Sequence, residues 1–278
     1  MSSICIYQQS MKQYRELTIQ NNFMFTKVMS DERLMKKLLE RIFPSLNIRD
    51  LKVVIKEKTL DEFASAHGIR IDVYSENDEA VYAIEMQVLN RGISPKRGRY
   101  YQSVIDTSFL NRNEDYEELK PQYIVFICPF DPFGDKMMMY TFCNLCIENG
   151  RELQDGTAKI YINCACGQKD DYPELKLFAE YVMGHISEDA FVREIDASVE
   201  LARLDPIGRS EYMHWQEELR EREKIGLEKG EENERVRVIY LLMKDGKSFE
   251  EACAFLQLSI EETEKIRRLL NEQPVSEF

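Results

Sequence analysis

The sequence predicts an α+β module followed by an all-helical tail, and three observations carry that reading. Short β-branched and apolar runs recur between residues 51 and 164, separated by turn residues and accompanied by helical periodicities. From Ser187 onward no strand pattern remains and charged residues dominate. Near the end, Ser248-Phe-Glu-Glu251 and Ser259-Ile-Glu-Glu262 are two capping boxes, in which a Ser oxygen takes a helix N–H and the Glu three residues on reaches back. The division falls near 186, giving an α+β domain over 11–186 and a charged helical tail over 187–278.

Taken in order, Asn21 and Asn22 can cap a helix that runs through Phe25, Val28, Leu34, Leu38 and Leu39, with Pro44 just past its end. Leu51 to Ile55 is a short β-branched stretch. Ile69 to Tyr74 and Ala80 to Val88 read as two strands, and Ser75-Glu76-Asn77-Asp78 as the hairpin turn between them. Ser94 to Asn113 reads as a helix. Tyr123 to Cys128 is apolar without alternation, the mark of a strand buried on both faces. Met137 to Cys146 and Thr157 to Cys164 suit a further hairpin, and Asp171 and Pro173 open a helix ending near Gly184. In the tail, a densely charged helix from about Ser210 to Met243 precedes short helices at 249–256 and 260–270.

Charge divides the same way. The chain of 278 residues carries a formal net charge of −13, with 50 acidic against 37 basic residues. Residues 187–278 hold 23 acidic and 14 basic residues, so the tail accounts for −9 and the first module for −4. The acidic total therefore does not exclude a phosphate-binding face on the first module. No apolar run approaches the ~18 residues of a membrane helix, and the N-terminus lacks the pattern of a signal peptide. The expected location is cytoplasmic, where the 7 cysteines would stay reduced.

Chemistry concentrates in two of the strands. Asp72 sits within Ile69-Arg-Ile-Asp-Val-Tyr74, and Glu85 within Tyr82-Ala-Ile-Glu-Met-Gln87. A carboxylate in an apolar strand is costly unless it is paired, hydrogen-bonded or bound to metal. Alternation places Glu85 and Gln87 on one face, with Tyr82, Ile84, Met86 and Val88 on the other. In a hairpin, Asp72 and Glu85 would sit side by side, and with a main-chain carbonyl they make an all-oxygen site suited to Mg²⁺ or Mn²⁺. By spacing alone, a solvated strand face is the stronger reading. From Val88 to Ile105 there is no acidic residue, whereas Arg91, Lys96, Arg97 and Arg99 are all basic and Tyr100 and Tyr101 follow. Guanidinium groups beside paired carboxylates suit a phosphodiester substrate, the carboxylates holding metal and Arg97, Arg99 and Tyr101 holding phosphate.

Asn22-Phe-Met-Phe25, Ile71-Asp-Val73, Ile84-Glu-Met-Gln87, Arg99-Tyr-Tyr101 and Tyr123-Ile-Val-Phe-Ile127 occur in an order and spacing that resembles the Rpn-type proteins. These are the recombination-promoting nucleases, also described as PD-(D/E)XK nuclease family transposases. Asp131-Pro-Phe133 and Tyr140-Thr-Phe142 look like a later segment of the same family, and the resemblance spans roughly residues 12–185. It implies a restriction-endonuclease-like core, a mixed sheet flanked by helices, and metal-dependent cleavage of DNA tied to recombination or mobile elements. Carried over by position, Asp72 and Glu85 would be metal ligands, with the Met86 carbonyl as a third. Gln87 would stand where the superfamily has lysine, and Asn22 where many relatives have Asp. A neutral amide can orient a water or a phosphate oxygen but supplies no charge. The alternative is therefore a weakly active or inactive DNA-binding protein that keeps the nuclease fold.

Other motifs carry less. Cys143, Cys146, Cys164 and Cys166 approach zinc-ribbon spacing, but the second pair is one residue short, so buried free thiols are the default. His67, His185 and His214 have no Ser or Cys partner in a recognisable motif, and the 12 glycines form no phosphate loop. The last helix offers Glu261, Glu262 and Glu264 where a DNA-reading helix needs Arg, Lys, Asn or Gln, so the terminal pair reads as a packing or partner-binding module. The charged helix before it suits either a solvated connector or a pairing surface, and a homodimer through the tail stays open.

Overall fold

The computed structural model describes residues 13–54, 71–89, 94–110, 115–166 and 172–272. Two compact units result, one through Arg209 and one from Ser210. The first unit is a mixed six-stranded sheet with helices on its faces. Its elements are α1 (Asn22–Met29), α2 (Glu32–Ile42), β1 (Lys52–Val54), β2 (Val73–Glu76), β3 (Val81–Met86), α3 (Pro95–Phe109), β4 (Gln122–Cys128), β5 (Met139–Phe142), β6 (Thr157–Asn163), α4 (Pro173–Val182) and α5 (Ala190–Leu204). Strand order is β1-β2-β3-β4-β6-β5. The central pairs β3–β4 and β4–β6 are parallel, and the flanking pairs are antiparallel. The unbroken apolar run of β4 fits its place at the centre, covered on both faces.

Strand alternation sorts the core. Tyr82, Ile84 and Met86 enter a large cluster with Met24, Phe25, Leu34, Leu38, Leu175, Phe178, Phe191 and Val192 from the helices. Val81 and Ala83 face a smaller cluster on the other side, with Tyr101 and Ile105 of α3. Each large apolar side chain so buried contributes about 1.5–3 kcal/mol. Glu85 shares the parity of Val81 and Ala83, so it is delivered to the α3 side. That helix lies close on the sheet at Gly98, where an added Cβ would stand 3.4 Å from Lys159 Cδ and 3.5 Å from Phe126 Cε2.

The structure departs from the sequence expectation in three places. The single first helix is two. Asn21 caps α1 by accepting from the Phe23 and Met24 N–H groups, and Asp31 restarts the chain as α2 by accepting from Arg33 and Leu34. The hairpin turn lies two residues later than expected, because Asn77 Oδ1 accepts from Glu79 and Ala80 N–H and closes the turn there. Ile69 and Arg70 fall outside the described residues, and Ile71 and Asp72 precede the strand rather than lie within it. Packing also places the unit boundary beyond the compositional change at 186. Helix α5 buries Phe191, Val192, Ile195 and Val199 in the first core. Its Asp189 cap pairs with Arg41 at 2.9 Å, and Glu194 pairs with Lys37 at 2.7 Å.

The long helix α6 (Pro206–Lys244) supplies Val236 and Ile239 to the second unit's own core. They close around Ala252 and Cys253 of α7 (Phe249–Phe255) and Ile266 of α8 (Ile260–Glu272). Both capping boxes form. Ser248 Oγ accepts from Glu251 N–H at 3.1 Å and Ser259 Oγ from Glu262 N–H at 3.2 Å, with each Glu carboxylate accepting the Ser N–H in return.

Candidate active site

The carboxylates of Asp72 and Glu85 meet at the carboxyl end of β3. Their residues brace each other through main chain: Asp72 N–H donates to Glu85 Oε1 at 3.2 Å, and Met86 N–H donates to Asp72 Oδ2 at 2.9 Å. Asn22 joins from the start of α1, its Nδ2 donating to Asp72 Oδ2 at 3.2 Å. Asn21 takes the capping role, which leaves the Asn22 amide for the site. Glu85 is only 2% exposed, and a carboxylate so buried requires compensation.

Arg97 supplies it from the first turn of α3. One guanidinium nitrogen donates to Glu85 Oε2 at 2.6 Å, a second to Gln87 Oε1 at 2.9 Å, and Nε to the Tyr101 hydroxyl at 2.8 Å. The guanidinium also lies over the rings of Tyr101 and Phe126, 5.1 and 5.9 Å from their centroids. Burial pulls the Arg97 pKa down, but the Glu85 carboxylate beside it more than offsets this, with help from Tyr101 and Asp72, so Arg97 stays firmly cationic. Burial and the same Glu85 charge push the Tyr101 phenol up to about 12, partly opposed by Arg97, so Tyr101 is neutral. Gln87 is held at both ends, its Nε2 donating to the Leu89 carbonyl at 2.8 Å.

Asn22, Asp72, Glu85, Met86, Gln87, Arg97 and Tyr101 therefore come together. Arg99 does not join them. It is exposed, and two residues along a helix put it on the opposite side from Arg97. Tyr101 meets the site through Arg97, on the same face at i+4. Arg91 lies outside the described residues. Phe126, beneath the guanidinium, was missed from sequence. It is the register partner of Glu85 across the parallel β3–β4 ladder, and an isolated sequence does not reveal that register.

Among the described residues no group of three or more His, Cys, Asp or Glu is placed to hold a metal ion, so Cys143, Cys146, Cys164 and Cys166 are not gathered into one. Cys166 donates to the Lys136 carbonyl at 2.9 Å, and burial pushes the Cys164 thiol far up. No helix among the described residues is long and apolar enough to cross a membrane.

The family model described as PD-(D/E)XK nuclease family transposase matches residues 19–172, from three residues ahead of α1 to the residue ahead of α4. No curated protein and no solved structure matches the chain. Nucleases of this class typically act with divalent metal ions, and the family's role is nuclease-like and linked to transposition. The match spans more than half of the 278 residues, and the chain belongs to the PD-(D/E)XK nuclease family transposases.

Proposed function

We propose that this protein is a metal-dependent DNA endonuclease that hydrolyses phosphodiester bonds at the Asp72–Glu85 site in recombination or in the movement of mobile elements. The observation that carries the reading is the reciprocal bracing of the two carboxylates, with an arginine seated on the buried one. The donor set fits a hard divalent cation, because it is all oxygen and doubly negative. Asp72 and Glu85 would hold Mg²⁺ or Mn²⁺, with the Met86 carbonyl as a third oxygen. When bound there, the ion would polarise the scissile phosphate and lower the pKa of a water.

The remaining steps belong to the chain itself. Asn22 fixes the Asp72 carboxylate by donating to it, the supporting contact that keeps a ligand oriented. Gln87 orients a water or a phosphate oxygen but brings no charge. Arg97 brings the positive charge to the position where Gln87 stands, and its forked donors match a phosphate. The positive end of the α3 dipole favours an anion at the same end.

Supercoiled plasmid incubated with Mg²⁺ or Mn²⁺ tests the reading. Nicking that EDTA abolishes and Asp72→Ala lacks supports it. Binding without nicking favours the second reading, a DNA-binding protein that retains the fold, to which the neutral Gln87 lends support. Nicking that persists in Asp72→Ala overturns the site.

A further inference from the structure

We propose that Arg97 is an exchangeable counter-ion that holds the metal site closed to cations until a phosphodiester arrives, so that metal and DNA bind cooperatively. This rests on the metal-dependent reading above and concerns how that same site is regulated.

The argument begins with Glu85. Its carboxylate is nearly sealed from water, and the guanidinium on Oε2 and the Asp72 N–H on Oε1 neutralise it. A divalent ion at Glu85 would take over part of that compensation. Guanidinium and metal therefore compete for one carboxylate, and Arg97 lowers the affinity of the free protein for the ion.

Charge counting gives the sign of the coupling. Among the described residues, Asp72 and Glu85 bring two negative charges and Arg97 one positive. A divalent ion added alone leaves an excess positive charge beside the buried Glu85. A phosphodiester adds the missing negative charge and offers Arg97 a new bidentate partner, releasing Glu85. Each ligand then improves the site for the other, and linkage requires the two gains to be equal.

The surroundings of Arg97 suit a limited movement. Its side chain is 36% exposed, against 2% for that of Glu85, so the arginine has a route outward and the glutamate does not. The Tyr101 hydroxyl and the Tyr101 and Phe126 rings hold the base of the fork near the site. Tyr101 is thus a positioning residue, acting on substrate through Arg97.

Mn²⁺ binding to the full chain, read from the EPR signal of the free ion in the absence of DNA, is the direct test. Arg97→Gln should bind Mn²⁺ about tenfold more tightly than the wild type, the scale of one ion pair in a partly solvated setting. Arg97→Lys, which keeps the charge, should stay close to wild type. In the reciprocal experiment, fluorescence anisotropy of a short phosphorothioate duplex should show Mn²⁺ strengthening DNA binding by the wild type and much less so by Arg97→Gln. Wild-type circular dichroism and a stoichiometry of one tightly held ion in Arg97→Gln distinguish a gain at the site from loose binding at exposed carboxylates. If Arg97→Gln binds Mn²⁺ no better than the wild type while Asp72→Ala abolishes binding, the counter-ion role is wrong and the metal site stands. If Asp72→Ala leaves Mn²⁺ binding unchanged, the metal-site reading fails and takes this inference with it.

Discussion

Two arginine–glutamate pairs in this molecule have the same length and opposite meaning. Arg97 and Glu85 in the first unit are 2.6 Å apart, as are Arg235 and Glu262 in the second. The glutamate side chain is 2% exposed in one and 41% in the other. Water already solvates the second pair, so its contribution is small and salt-sensitive. In the first pair the glutamate has lost its water, and the arginine has an amide and a phenol as further neighbours. Burial and convergence, rather than the number of charges, separate the candidate site from a solvated surface. Of the net charge of −13, residues 187–278 carry −9 and the module that holds Asp72 and Glu85 carries −4.

That contrast can be broken by mutation, beginning with the largest effect. Asp72→Ala should reduce plasmid nicking at least about 100-fold, since a catalytic metal supplies several kcal/mol of transition-state stabilisation. The same variant should keep the far-ultraviolet circular dichroism of the wild type. Next is Arg41→Ala, which removes a pair of intermediate burial, side chains 10% and 18% exposed, together with a 2.6 Å bond to the Glu174 carbonyl. It should cost about 1–3 kcal/mol in a urea melt.

The Arg41 effect should depend on pH. Burial alone would raise the Asp189 pKa, but Arg41 and the Val192 and Phe191 N–H groups hold it below the usual carboxylate range. A depressed folded pKa contributes stability above the unfolded value of about 3.9, and that stability is lost as pH falls through the folded value. The difference between wild type and Arg41→Ala should therefore be full at neutral pH and shrink in acid melts. An unchanged difference would show that Arg41 acts through its carbonyl bond and its stacking over Phe191, 4.6 Å from the ring centroid, rather than through Asp189.

Ser248→Ala should destabilise the second unit by about 1 kcal/mol through loss of the capping box. Arg235→Ala, at the exposed pair, should change stability by about 0–1 kcal/mol, and less at high salt. A large effect there would overturn the contrast drawn between the two pairs.

What the sequence disclosed follows from the range over which each signal acts. Capping boxes, the period-two alternation around Glu85 and the apolar run of β4 are local and were all legible. The break between α1 and α2 was not, because the apolar spacing continues through it and only the Asp31 cap marks it. Asp72, Glu85 and Asn22 were legible as candidates and are hydrogen-bonded neighbours, but the choice between Arg97 and Arg99 required knowing which face of α3 meets the sheet. Gly98, between them, is the residue that lets the helix approach, and its small size was the available clue. The extent of the first unit was obscured for a related reason. Helix α5 is charged on one side and apolar on the other, and composition averages the two.

The parallel ladder through β3, β4 and β6 has one more consequence, which concerns the ribosome. Phe126, which lies beneath Arg97, is placed by pairing with β3 on one edge and β6 on the other, and β6 ends at Asn163. Asn22 must meanwhile return to Asp72 across intervening chain. Such distant pairings form late and together. A partly synthesised chain therefore carries the carboxylates without the frame that aligns them, and the Asp72–Glu85 arrangement is complete only once β6 has paired.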